Sequence, residues 1–130
     1  MQTFPEIASN LSKWLFSRLR SFDPFDYRII VLYSRCSAYY KLGEFRETVA
    51  DAHRLLAILP ANAHAVQTTY KLLTVSYLRL GEYKSAQSTA IEYANRIGGP
   101  EARQWLDIVN YYPKNPQLAL NELVRVISSP

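Results

Sequence analysis

One internal similarity constrains the fold of this 130-residue chain more than any other feature. The segment SAYYKLGEF at 37–45 aligns with VSYLRLGEY at 75–83, and the two copies lie 38 residues apart, from Gly43 to Gly81. Each copy is typical of a helix, a Leu-Gly turn, an aromatic residue and a second helix. Because a unit of this size cannot bury its apolar face alone, neighbouring units must stack against each other.

Helix start and stop signals recur along the rest of the chain, whereas the alternating patterns of strands are missing. Thr3 and Glu6 form a capping box for a first helix, and Asp23 with Pro24 begins a second that runs to about Leu42. The remaining helices are predicted at about 45–59, from Asn62 to before Gly81, and at about 83–97, 101–111 and 117–127. The sequence therefore predicts an all-α domain of about seven helices, joined by short connections.

The two copies resemble the tetratricopeptide repeat, a helix-turn-helix unit of about 34 residues with an aromatic residue after the turn. The matching positions are Leu32, Cys36, Tyr39, Gly43, Phe45, Leu55 and Pro60 in the first copy, and Tyr70, Thr74, Tyr77, Gly81, Tyr83, Ala86 and Ala90 in the second. The resemblance implies a right-handed stack of antiparallel helix pairs, or α-solenoid. It divides the single domain 1–130 into an N-terminal packing helix (1–24), two repeats (29–62 and 67–98) and a degenerate C-terminal capping pair (100–130).

The resemblance also implies a binding surface, because the first helix of each tetratricopeptide repeat lines a concave groove that takes extended peptides or partner helices. By position, the groove residues are Tyr33, Ser37, Tyr40, Lys41, Lys71, Val75, Leu78 and Arg79. Aromatic rings beside cations suit a peptide with apolar anchors and a carboxylate. The expected function is a protein-protein interaction adaptor or scaffold that binds a peptide segment or a partner subunit, with acidic segments as natural candidates.

One subset of the family grips the C-terminal tail of heat-shock chaperones through lysine, asparagine and arginine residues. In this chain Arg35 stands where that set needs an asparagine, and Thr68 and Leu72 stand where it needs a lysine and an arginine. The chaperone tail is therefore a disfavoured partner.

Two other functions remain open from the residues. Nucleic-acid binding is suggested by the net charge of +4 and by aromatic and basic residues on one expected face: Tyr33, Tyr40, Lys41, Lys71 and Arg79. Self-association is suggested by the apolar residues crowded on the last helix, since terminal repeats need a polar outer face. Those residues are Leu118, Leu120, Leu123 and Val124.

The sequence offers no catalytic, metal or cofactor site. Neither His53 nor His64 has a metal-ligand partner at i+4, and Cys36 has no residue near it in sequence that would complete a zinc site. As the single cysteine, Cys36 also cannot form an internal disulfide. The glycines at 98 and 99 lack the preceding strand and following lysine of a phosphate loop. We expect a non-enzymatic protein of the cytoplasm or nucleus, with no signal peptide and no membrane-spanning helix.

Overall fold

The computed structural model describes residues 26–60 and 64–128, which form six α-helices. They are α1 (Asp26–Leu42), α2 (Phe45–Ile58), α3 (His64–Arg79), α4 (Tyr83–Arg96), α5 (Gly99–Tyr111) and α6 (Pro116–Ser128). The all-α prediction is confirmed, and the six helices pack as sequential antiparallel neighbours. Their other bounds agree with the predicted ones to within two residues, while the predicted starts at Asp23 and Asn62 lie outside the described residues. The helix predicted at 1–24 lies outside the described residues.

The first helices of the two sequence copies end in the same turn. Gly43 and Gly81 have φ angles of 78° and 77°, in the left-handed region that glycine adopts without strain. In the first copy the Glu44 amide donates to the Tyr39 carbonyl at 2.9 Å, and the Gly43 amide donates to the Tyr40 carbonyl at 3.1 Å. The corresponding bonds of the second copy are 2.8 and 3.0 Å. Both turns are therefore Schellman motifs, which satisfy the last carbonyls of the helix and reverse the chain.

Helix α3 is the centre of the domain, because it packs against α1, α2, α4 and α6. Its buried residues lie on almost every side of the helix: Val66, Thr69, Tyr70, Leu72, Leu73, Thr74, Val75, Ser76 and Leu78. A helix that is buried all round must be enclosed by neighbours. The sequence pattern agrees, since 66–78 contains a single charged residue, Lys71.

The second half of the stack does not repeat the first. Helix α1 packs directly on α3, but among the described helices α5 makes no corresponding backbone contact with α3, and α6 packs there instead. The buried side chain of Trp105 connects α5 to α3 instead: its indole Nε1 donates to the Thr74 hydroxyl at 3.3 Å. That hydroxyl in turn donates to the Tyr70 carbonyl at 2.7 Å. On the α4 side the Tyr70 ring stacks on Tyr93, with ring centres 5.5 Å apart. Helix α3 is thus held by directional contacts as well as by apolar packing.

Candidate binding surfaces

The structure places the eight predicted groove residues on α1 and α3, which pack side by side. Six of them reach the surface, and we call these the inner wall: Tyr33, Ser37, Tyr40, Lys41, Lys71 and Arg79. The other two, Val75 and Leu78, are buried in the core. A docked partner therefore cannot touch Val75 or Leu78 while the helices remain packed.

Tyr40 and Arg79 form the part of the inner wall where the two helices meet. The Tyr40 ring is half-buried and makes an edge contact with Phe45, with ring centres 6.1 Å apart. Burial raises the pKa of the Tyr40 phenol, and the charge of Arg79 offsets part of that rise. Tyr40 is therefore a neutral aromatic residue beside an exposed guanidinium, an arrangement that accepts an apolar group and an anion side by side.

The cations of the inner wall have no ion-pair partner in the part of the chain that the structure describes. Lys41 and Arg79 are exposed, and Lys71 is half-buried. The ion pairs within the described ranges use other arginines, namely those at 35, 54 and 125. Unpaired cations around an aromatic surface give the wall a positive potential that favours an acidic ligand.

Arg35, by contrast, has a structural role. Its Nε donates to Oδ2 of Asp51 at 2.8 Å and its Nη2 to Oδ1 at 2.7 Å, while Arg54 donates to Oδ1 at 2.8 Å. Asp51 is buried, and the hydrogen bond from Arg35 is the main reason that its pKa lies below the ordinary value. This bidentate pair joins α1 to α2, so Arg35 is already engaged within the fold.

Cys36 is buried beside that ion pair and donates weakly to the Thr48 carbonyl, with Sγ and O 3.6 Å apart. Burial, with a smaller contribution from the Asp51 charge, raises the pKa of the thiol to about 12. Because the thiolate is the nucleophile and the metal ligand, this cysteine is inert at neutral pH.

Helix α6 covers part of α3 and encloses a cavity of about 350 Å³ together with α3 and α5. We call it the inner cavity. Residues on its walls include His64, Lys71, Glu101, Trp105, Val126 and Ile127. Lys71 therefore lines the inner cavity rather than the open part of the inner wall. The C-terminal end of α6 lines the same cavity.

A second concave surface, the outer groove, lies across α2, α3 and α4 and was not predicted. Its volume is about 770 Å³, and its lining includes His53, Tyr77, Lys84, Ile91 and Arg96. His53 Nε2 and the Tyr77 hydroxyl are 2.7 Å apart and hydrogen-bonded. Burial raises the pKa of Tyr77, so its phenol is neutral. The pair joins residues 24 positions apart, so no local sequence pattern links them. The sequence could indicate the site only through a histidine on the face opposite the apolar side of α2, where the structure leaves His53 exposed.

Most of the apolar residues of α6 that were predicted to be exposed pack inside the domain instead. Leu120 and Leu123 are buried, Val124 is half-buried and Leu118 is 48% exposed. Of these four residues, Leu118 alone is exposed enough to contact a second copy of the chain. One exposed leucine weakens the case for self-association through α6.

Within the described ranges, no group of three or more His, Cys, Asp or Glu side chains is placed to hold a metal ion. None of the helices there combines the length and apolar character that crossing a bilayer requires. Comparisons with protein-family models, with curated proteins and with solved structures find no match to this chain.

Proposed function

We propose that this domain is a tetratricopeptide-like scaffold, without enzymatic activity, that binds an acidic segment of another protein on the inner wall. The observation that carries the proposal is the pairing of half-buried Tyr40 with Arg79, next to exposed Lys41. An aromatic ring that already contacts the core loses little side-chain entropy on binding, and the cations beside it steer and orient a carboxylate. A right-handed solenoid and a cytoplasmic or nuclear location belong to the same proposal.

The geometry limits the length of wall that a partner can use. Helix α6 lies against α3 and shares the inner cavity with Lys71. The open part of the wall is therefore α1 from Tyr33 to Lys41, together with Arg79 at the end of α3. Since helical residues rise about 1.5 Å each, 33–41 extends for about 12 Å, which suits four extended residues. The partner segment is expected to be short, with an aromatic or aliphatic side chain on Tyr40 and carboxylates near Lys41 and Arg79.

Selection from a library of random peptides displayed on phage tests this proposal. We expect the full chain to enrich peptides in which aspartate or glutamate flanks an apolar residue. The double variant Lys41→Glu, Arg79→Glu should bind a selected peptide on the order of 10- to 100-fold more weakly, because two attractions become repulsions. The matched control is Arg103→Glu, Lys114→Glu, which changes two exposed cations by the same total charge away from the wall.

The outcomes separate the proposed function from the two alternatives. Equal binding by the wall variant and the control variant, both with the wild-type circular dichroism spectrum, refutes the wall as the binding site. Preferential binding of single-stranded nucleic acid that weakens steeply with added salt assigns the cations to phosphate recognition instead. A sedimentation coefficient that rises with protein concentration in the absence of peptide indicates self-association.

A further inference from the structure

The inner cavity lies where α5 does not reach the backbone of α3, and one side of each helix lines it. On α3 the lining residues follow the spacing i, i+3, i+4 and i+7 from His64 to Lys71, and on α5 they follow it from Glu101 to Ile108. This spacing belongs to one face of a helix, and seven helical residues rise about 10 Å. The cavity is therefore about 10 Å long, between two regular helix faces.

One part of the lining of the inner cavity is apolar. Trp105 is buried, and Ile108, Val126 and Ile127 are half-buried around the same space. The indole Nε1 of Trp105 donates to the Thr74 hydroxyl, so its ring gives the cavity an apolar surface and no free donor. This part of the lining suits the aromatic or aliphatic portion of a ligand.

The other part of the lining is polar and includes two opposite charges, half-buried Lys71 and exposed Glu101. Within 26–60 and 64–128 neither residue takes part in an ion pair, although both line the same cavity. With histidine counted as neutral, the described residues of the lining carry one positive and one negative charge. A ligand with a single charge is attracted by one of these residues and repelled by the other, whereas a zwitterion pairs with both.

We propose that the inner cavity binds a free α-amino acid with a large apolar side chain. The carboxylate of the ligand pairs with Lys71 and its ammonium group pairs with Glu101, while its side chain packs against Trp105 and Ile108. Because an α-amino acid carries both charges on one carbon, its side chain can occupy the apolar part of the lining while the charges occupy the polar part. The cavity volume of about 350 Å³ equals the liquid volume of about twelve water molecules, which suits a ligand of about twelve non-hydrogen atoms, the size of phenylalanine.

This inference does not rest on the proposed function, because it uses a different part of α3. Lys71 lines the inner cavity, whereas Tyr40, Lys41 and Arg79 lie on the open part of the inner wall. The variant Lys41→Glu, Arg79→Glu should therefore bind phenylalanine as tightly as the wild type does. A domain that binds the amino acid and no acidic peptide, or the reverse, separates the two proposals.

Isothermal titration calorimetry of the full chain with L-phenylalanine tests the cavity proposal. A ligand of this size should bind with a dissociation constant on the order of 10 µM to 1 mM. Lys71→Met keeps the apolar stem and removes the charge, so it should weaken binding about tenfold or more. Lys114→Met is the matched control, because Lys114 is exposed in the turn between α5 and α6 and away from the lining. The control should bind phenylalanine as the wild type does.

Two analogues of phenylalanine test the two charges separately on the unmodified protein. The first, 3-phenylpropanoate, lacks the ammonium group, and the second, 2-phenylethylamine, lacks the carboxylate, so each should bind about tenfold or more weakly than phenylalanine. Glu101→Gln should remove the preference for phenylalanine over 3-phenylpropanoate, and Lys71→Met should remove the preference over 2-phenylethylamine. Equal affinity of the wild type for all three molecules overturns the proposal.

Proton–nitrogen correlation spectra locate the bound amino acid. Trp14 and Trp105 are the two tryptophans of the chain, so Trp14→Phe leaves one indole N–H signal, that of Trp105. The Trp105 signal should shift as phenylalanine is added, because this indole lines the cavity. Neither heat nor a shift at about 10 mM phenylalanine, ten times the weakest expected dissociation constant, overturns the proposal. Binding that leaves the indole signal unmoved, or that Lys71→Met and Lys114→Met affect equally, also overturns it.

Discussion

Substituting each turn glycine with alanine tests whether the two copies of the sequence repeat lose the same folding free energy when their turns are changed. A Cβ added at Gly43 or Gly81 meets no heavy atom within 4 Å, so no steric clash contributes. The cost comes from holding a residue with a Cβ at φ near +78° or +77°, which is about 1–2 kcal/mol. Alanine also restricts the unfolded chain, which offsets about 0.4–1 kcal/mol of that cost. The net loss should be about 1 kcal/mol for each variant, and equal in the two.

Urea unfolding followed by circular dichroism measures this loss. For a two-state domain the midpoint should fall at constant m-value, and the melting temperature should drop by about 3–5 °C for each kcal/mol. Gly43→Asn and Gly81→Asn are the matched controls, because asparagine tolerates the left-handed conformation better than alanine does. A neutral alanine variant at either turn, or losses in the two copies that differ by more than about 1 kcal/mol, would refute the reasoning.

Three further predictions concern the core and its ion pair. Since the pKa of Asp51 is lowered from 3.8, its pairing stabilises the fold above that value and is lost as the pH falls through the folded-state pKa. Urea unfolding at several pH values should show this acid loss in the wild type and a flatter profile in Asp51→Asn. Cys36, with a thiol pKa of about 12, should react with iodoacetamide in the unfolded protein and not in the native one, as mass spectrometry would show. Leu123→Ala should cost about 2–5 kcal/mol in the same unfolding assay, whereas Leu118→Ala should cost less than about 1 kcal/mol, because Leu123 is buried and Leu118 is half exposed.

The helices could be predicted from the sequence because their ends are encoded locally. Glycine at 43 and 81 adopts a conformation that other residues avoid, and Pro60 lies directly after the last turn of α2. Each signal acts within a few residues, so it is visible without knowledge of the tertiary fold.

The burial of individual side chains on α3 could not be predicted in the same way. Periodicity identifies which residues share a face, but the burial of Val75 and Leu78 depends on what covers that face. Helix α6 packs on α3, and the intervening α4 and α5 set its position. The outer groove escaped prediction for the same reason, since His53 and Tyr77 meet only when α2 packs on α3, and α4 supplies other residues of the lining.

The most direct test of the central claim is to locate the bound peptide on the domain. Amide spectra of the isotope-labelled full chain, titrated with a selected acidic peptide, should change at Tyr33 to Lys41 and at Arg79, while the amides of α6 keep their positions. Changes confined to the outer groove around His53 and Lys84, or release of α6 from α3 on binding, would contradict the assignment of the open inner wall as the binding surface.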